Sequence, residues 1–165
     1  MKIQLLIYIL LFPILFTSQI IDNSKCNAFS DDPFFNQLFI KTNKVKSIHG
    51  IISTKKELSV IKKSNQIIHF DFNQKGELIK QYSSVKRHKK LDTVFTIYHY
   101  SDTGDLITKR TNDAHGFYSY NYDYNDQRQQ IKKTYCRDKN IGQDRNHFIL
   151  GKQYVIINET YSYKN

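Results

Sequence analysis

The chain has 165 residues, with 25 Lys and Arg against 15 Asp and Glu, 39% hydrophobic and 14% aromatic residues, two cysteines and no tryptophan. That length suits one domain of ordinary size, and an apolar fraction built from Ile, Leu, Phe and Tyr excludes a disordered or collagen-like polymer. Six glycines and two prolines leave little material for phosphate-cradling loops.

Met1-Lys2 precede a nearly continuous apolar run from Ile3 to Phe16, followed by the small residues Thr17 and Ser18. The run is shorter than the roughly 20 residues a membrane-spanning helix needs. Residues 1–19 therefore read as a secretory signal peptide cleaved near Ser18 or Gln19; the alternative is a membrane anchor. The signal predicts a secreted or extracytoplasmic protein, in the periplasm or at the cell surface, with no transmembrane span after its removal. Cys26 follows Asn23-Ser24-Lys25 and so lacks the apolar, small-residue box of a lipidated cysteine.

Export makes Cys26 and Cys136 candidates for a disulfide. In the chain-entropy model a loop that long is worth roughly 4–5 kcal/mol; two unpaired thiols are the alternative. No Cys-x-x-Cys or cysteine–histidine cluster occurs, so neither a metal site nor a cofactor is expected.

Residues 20–44 form an N-terminal segment with one short helix. Asp32 can cap it and Pro33 suits the first helical position. Phe34, Phe35, Leu38 and Phe39 then fall on one side, which predicts a helix over about residues 33–41 packed across a sheet.

From residue 45 to 165 the chain reads as a repeat domain. Aligned on the turn, Phe70-Asp71-Phe72-Asn73-Gln74-Lys75-Gly76-Glu77-Leu78-Ile79-Lys80 matches Tyr98-His99-Tyr100-Ser101-Asp102-Thr103-Gly104-Asp105-Leu106-Ile107-Thr108, and then Tyr122-Asp123-Tyr124-Asn125-Asp126-Gln127-Arg128-Gln129-Gln130-Ile131-Lys132. A worn earlier copy spans Gly50 to Leu58, and Tyr161-Ser162-Tyr163 looks like the opening of another unit. Aromatic residues alternating with polar ones have the period of a half-buried strand, and Asn, Asp and Gly between two such runs make a hairpin turn. Tyr118, Tyr120, Tyr122 and Tyr124 interleave with Ser119, Asn121 and Asp123, giving one aromatic and one polar face. Val94, Thr96, Tyr98 and Tyr100 continue that logic, as do Val155, Ile157, Tyr161 and Tyr163. The expected fold is all-β: an antiparallel meander of repeated hairpins, either an open twisted sheet or a partly closed barrel. Loops are expected near residues 73–76, 86–92, 101–104, 111–115, 125–128 and 137–146.

These units resemble the YD repeat of RHS-type secreted bacterial proteins, which reads roughly Tyr-x-Tyr-Asp-x-x-Gly-x-Leu. The resemblance covers about residues 65–136 and at its widest 45–165. Phe70 and Phe72 replace tyrosines, His99 stands where an acid is expected, and Arg128 replaces the turn glycine. In large members of that family many repeats wind into a shell around a cargo domain and can contribute to carbohydrate or cell-surface contact. Three or four units cannot enclose a cargo, so the shell role is not carried over.

The chain carries none of the common catalytic motifs. There is no Gly-x-Ser-x-Gly elbow, His-Glu-x-x-His helix, P-loop or dinucleotide fingerprint. The six histidines are dispersed, none at ligand spacing with another, and Asp71 and Asp123 are equivalent repeat positions rather than a catalytic pair. The expectation is a non-enzymatic protein with no catalytic residues.

Two features point to binding. Tyr98, Tyr100, Tyr118, Tyr120, Tyr122 and Tyr124 would form a platform for sugar rings or bases if uncovered, or the core if covered, and the rarity of large exposed apolar patches favours the core. Lys55-Lys56, Lys62-Lys63, Lys86-Arg87-His88-Lys89-Lys90, Lys109-Arg110 and Lys132-Lys133 attract polyanions, although a solvated sheet edge explains them equally well. The function expected is a secreted or cell-surface β-repeat protein that binds an anionic polysaccharide, another surface polymer or a protein partner through its sheet; nucleic acid is not the expected physiological partner. The alternatives are a structural remnant or accessory piece of a longer RHS-like product, and a small outer-membrane β-barrel, disfavoured because no strand set carries a sustained lipid-facing aliphatic band.

Overall fold

The computed structural model describes residues 35–87, 90–142 and 148–164. The signal segment, Cys26 and the expected helix start at Asp32-Pro33-Phe34 lie outside them. One short helix, α1 (Gln37–Thr42), is followed by β1 (Ser47–Thr54), β2 (Lys62–Phe72), β3 (Leu78–Arg87), β4 (Lys90–Tyr100), β5 (Leu106–Asp113), β6 (Gly116–Tyr124), β7 (Gln130–Asn140) and β8 (Leu150–Thr160). Each strand pairs antiparallel with the next in a single eight-stranded meander, β1 to β8 in order. The sheet is open: β1 and β8 are its edges, so of the two forms expected the partly closed barrel is not adopted. A membrane-spanning barrel needs a closed cylinder, which these strands do not form.

The repeat is a repeat of turn geometry. In Asn73–Glu77, Ser101–Asp105 and Asn125–Gln129 the first residue donates its N–H to the carbonyl of the fifth, at 3.0, 2.8 and 3.0 Å, and accepts the N–H of the fourth, at 3.0, 3.0 and 2.9 Å. The first side chain also accepts the N–H of the fifth residue. The fourth residue is left-handed each time: Gly76 (φ 80°), Gly104 (φ 86°) and Arg128 (φ 61°). This is a tight turn closed by a bulge, and the register shifts at the same repeat position in all three hairpins, Asp71/Phe72, His99/Tyr100 and Asp123/Tyr124. Arg128 takes the strained conformation that glycine takes elsewhere, and its guanidinium grips the preceding turn, donating to Asp105 Oδ1 at 2.7 Å and to the Thr103 carbonyl at 2.9 Å.

Neighbouring units are also joined through tyrosine hydroxyls. Tyr100 donates to the Leu78 carbonyl and Tyr124 to the Leu106 carbonyl, both at 3.0 Å. Tyr163 donates to the carbonyl of Gln130, the residue equivalent to Leu78 and Leu106, at 2.7 Å. Residues 161–163 thus make the same joint that opens a unit elsewhere.

The helix differs from expectation in its start and in its buried side. Asn36 is the N-cap, accepting the Phe39 N–H at 2.9 Å, and Phe35 and Ile40 occupy the two positions of a hydrophobic staple. That start turns Leu38 outward, 74% exposed, and makes Ile40 the anchor at 1%. Lys44 (φ 51°) ends the helix: its N–H reaches the Lys41 carbonyl and that of Val45 the Ile40 carbonyl, a Schellman closure normally built on glycine. Ile40 packs on Phe70, Phe72, Leu78 and Tyr98, with Phe35, Phe39, Val45, Ile48, Ile68, Tyr100 and Leu106 around them. The Phe35 ring meets those of Phe70 and Phe72 edge-on at 4.9 and 5.0 Å. Gly76 is required here, because a Cβ would fall 2.4 Å from the Gln37 carbonyl oxygen.

Three expected loops are shorter than their sequence implied. Thr111 and Asn112 belong to β5 and are buried, leaving residues 114–115 as the turn. Arg137, Asp138 and Lys139 extend β7, and β3 and β4 run to Arg87 and from Lys90. Polar residues without apolar alternation read as loop, yet here they bond one another across strands: Thr96 and Thr111 hydroxyls lie 3.0 Å apart and Arg110 meets Asp138.

Candidate binding face

Register places every expected tyrosine on the helix-bearing face of the sheet. One cross-strand row runs Tyr98, Lys109, Tyr120, Tyr135, Ile157 and the next Thr96, Thr111, Tyr118, Arg137, Tyr154. A third sets Tyr122 beside Lys133 and Glu159. The alternation inside β6 thus becomes a checker of rings and cations across β4–β7.

α1 divides this face. Tyr98 is core, 6% exposed, with its hydroxyl donating to Gln81 Oε1 at 3.0 Å. Tyr100 packs against the same cluster. Tyr118, Tyr120, Tyr122 and Tyr124 are half-buried, shielded by one another rather than by an overlying element among the described residues. Tyr120 and Tyr135 are tilted 35° at 5.1 Å between centroids, and Tyr118 stands perpendicular to Tyr120 at 6.4 Å. Lys133 Nζ sits 5.2 Å from the Tyr120 centroid and Lys109 Nζ 6.0 Å from that of Tyr98, within cation–π range. Tyr135 belongs to this site and escapes a sequence reading, because Lys133, Tyr135 and Arg137 show one ring where β6 shows four.

Burial pushes the Tyr118 phenol above its ordinary value, with the Asp113 carboxylate and Tyr120 adding to the shift, and burial followed by Asp105 does the same at Tyr124. Both phenols stay protonated at neutral pH, and that of Tyr124 donates to the Leu106 carbonyl. Arg128 holds the Asp105 carboxyl below its usual value, chiefly through their hydrogen bonds.

The opposite face of β5–β8 carries a buried polar cluster that the sequence does not announce. Arg110 Nε donates to Asp138 Oδ2 at 3.0 Å, Ser119 Oγ donates to Asp138 Oδ1 at 2.9 Å, and Gln153 Nε2 reaches Ser119 Oγ at 2.7 Å. Phe148 lies over the Arg110 guanidinium, 5.6 Å to the ring centroid, and meets Phe117 edge-on. Cys136, 1% exposed, sits beside them and accepts from Asn121 Nδ2 at 3.7 Å. Burial, then the Asp138 charge, raises its thiol pKa and leaves it a poor nucleophile. The expected Cys26–Cys136 bridge has its other end outside the described residues. His99 and His115 are exposed on strand and turn. A cleft of about 420 Å³ lies between the third turn and Tyr161–Tyr163, lined by Asn125, Gln129 and Ile131 among others.

No family model, curated protein or solved structure matches the chain.

Proposed function

We infer that this chain is an extracytoplasmic, non-enzymatic β-repeat module that holds an acidic polysaccharide on the ring-and-cation face of β5–β7. The observation that carries the reading is the half-buried row Lys109, Tyr120, Tyr135, beyond the core ring of Tyr98, with Lys133 poised over Tyr120. A sugar ring presents an apolar face to stack on a tyrosine, and its carboxylates or sulfates take an adjacent ammonium; a ladder alternating the two suits a polymer that alternates the same groups. The formal net charge of +10 favours capture of a polyanion over a neutral glycan. Export rests on the apolar segment within residues 1–19, and kinship with the YD-repeat proteins on the three matched turns with their left-handed fourth residue.

The test is co-sedimentation of the purified chain with insoluble acidic and neutral polysaccharides across a salt series. Binding to the acidic polymer is expected to survive salt concentrations that screen surface charges, and Tyr120→Ala is expected to lower it by roughly tenfold, about the worth of one aromatic stacking contact. Binding that vanishes with modest salt and is indifferent to Tyr120→Ala would reduce the reading to bulk charge. Equal salt-resistant retention on duplex DNA would replace the polysaccharide by a general polyanion.

A further inference from the structure

Histidines that are 20 residues apart in sequence meet on the face opposite the tyrosines. His49 and His69 stand directly across from each other in the β1–β2 ladder. Their Nδ1 atoms are 3.3 Å apart, with the rings inclined at 62°. Gly50, next to His49, lets the two strands close at this point, since a Cβ there would fall 2.8 Å from Ile68 Cγ2.

The other nitrogen of His69 is committed. Nε2 lies 2.8 Å from Asp71 Oδ1, two residues along the same face. An ionised carboxylate only accepts, so the neutral ring keeps its proton on Nε2 and turns the Nδ1 lone pair toward His49. This is the carboxylate–imidazole arrangement that orients histidine ligands and raises their basicity at metal centres. Lys80, the cross-strand neighbour of Asp71, is drawn aside with its Nζ 5.3 Å from the Phe95 centroid.

The nitrogen separation suits a shared metal as well as a shared proton. It is at the long end for an N–H hydrogen bond. For two imidazoles on one ion, with metal–nitrogen bonds of about 2.0–2.1 Å, it corresponds to an angle at the metal of roughly 104–111°, the tetrahedral value. We propose that His49 and His69 form a two-histidine site for a divalent transition-metal ion, with Asp71 as the orienting partner. Imidazole nitrogen selects Zn²⁺, Ni²⁺ or Cu²⁺ over Mg²⁺ or Ca²⁺. No group of three or more His, Cys, Asp or Glu side chains among the described residues could hold a metal, so water fills the other positions and the ion is exchangeable. The His69 and Asp71 side chains, 30% and 34% exposed, leave the site open to solvent. The site is independent of the polysaccharide reading.

Calorimetric titration of the purified chain with Zn²⁺ is expected to show one bound ion, and Cu²⁺ loading to give an electron paramagnetic resonance spectrum coupled to two nitrogens. His49→Gln and His69→Gln are each expected to abolish the site, Asp71→Asn to weaken it by about 10–100-fold, and His99→Gln to leave it unchanged. Circular dichroism checks that the variants fold. Ring-nitrogen NMR of the unaltered protein decides the matter if they do not: Zn²⁺ should shift His49 and His69 Nδ1 and spare His99 and His115. Unchanged His49 and His69 resonances, or full Zn²⁺ affinity in the doubly substituted chain, would overturn the proposal.

Discussion

Beneath α1, Phe70, Phe72 and Tyr98 are 6–7% exposed; beyond it Tyr118, Tyr120, Tyr122 and Tyr124 stand half-buried on the same face of the same sheet. Both regions are written as aromatic residues alternating with polar ones, and both close with the same bulged turn. The difference is the helix, whose Ile40 and flanking Phe35 and Phe39 supply the second layer that an apolar sheet face needs to become a core. On the far half, Lys109, Lys133 and Arg137 stand among the rings. Those cations lower the cost of leaving the rings facing solvent.

If that contrast is right, truncation should hurt one half far more than the other. Ile40→Ala is expected to cost about 2–5 kcal/mol, as a buried large-to-small change, whereas Tyr122→Ala should cost about 1 kcal/mol or less. Midpoints of denaturant unfolding measure both, and equal losses would mean that something covers the far rings.

A finer comparison uses the two hydroxyl joints. Tyr100→Phe and Tyr124→Phe each delete one bond to a main-chain carbonyl, worth about 0.5–1.5 kcal/mol. The larger loss is expected at Tyr100, because its acceptor Leu78 is buried and Leu106 has more access to water. Reversal of that order in denaturant midpoints would place the drier environment on the wrong half.

pH offers a gentler probe. Burial raises the Tyr118 and Tyr124 phenols above the ordinary value of 10.0, so the folded state holds those protons more tightly than the unfolded one. Their contribution to stability is complete below pH 10 and declines as the pH climbs from there through the raised folded values. Thermal midpoints should fall across that window, and less steeply in the Tyr118→Phe, Tyr124→Phe double variant.

The smallest effect concerns the covering layer itself. Lys44→Gly relieves a left-handed non-glycine residue at the end of α1 and should stabilise the protein by up to about 1 kcal/mol. A destabilisation would show that the lysine side chain holds the closure in some other way.

How much was legible in the sequence depends on the range of the interaction. Asn73, Ser101 and Asn125 announce their turns because each bonds the backbone two to four residues away. Strand alternation is equally local, so the meander and its one short helix could be expected. The helix register could not: Asn36 is the cap, and that start exposed Leu38 and buried Ile40. Nor could the ends of the polar strands, since Thr111 and Asp138 are held by Thr96 and Arg110, 15 and 28 residues away. Tyr135 and the His49–His69 pair were hidden for the same reason, both being products of strand register.

By itself the sequence determined the kind of fold and the periodicity of its units, because hairpin turns and strand alternation are decided within a few residues of chain. Only the tertiary structure decided which of the equivalent rings became core, which cations stood among the others, and which histidines faced each other. Those outcomes follow from where one six-residue helix comes to rest and from how strands align in register, and contacts of both kinds join residues that the chain keeps far apart.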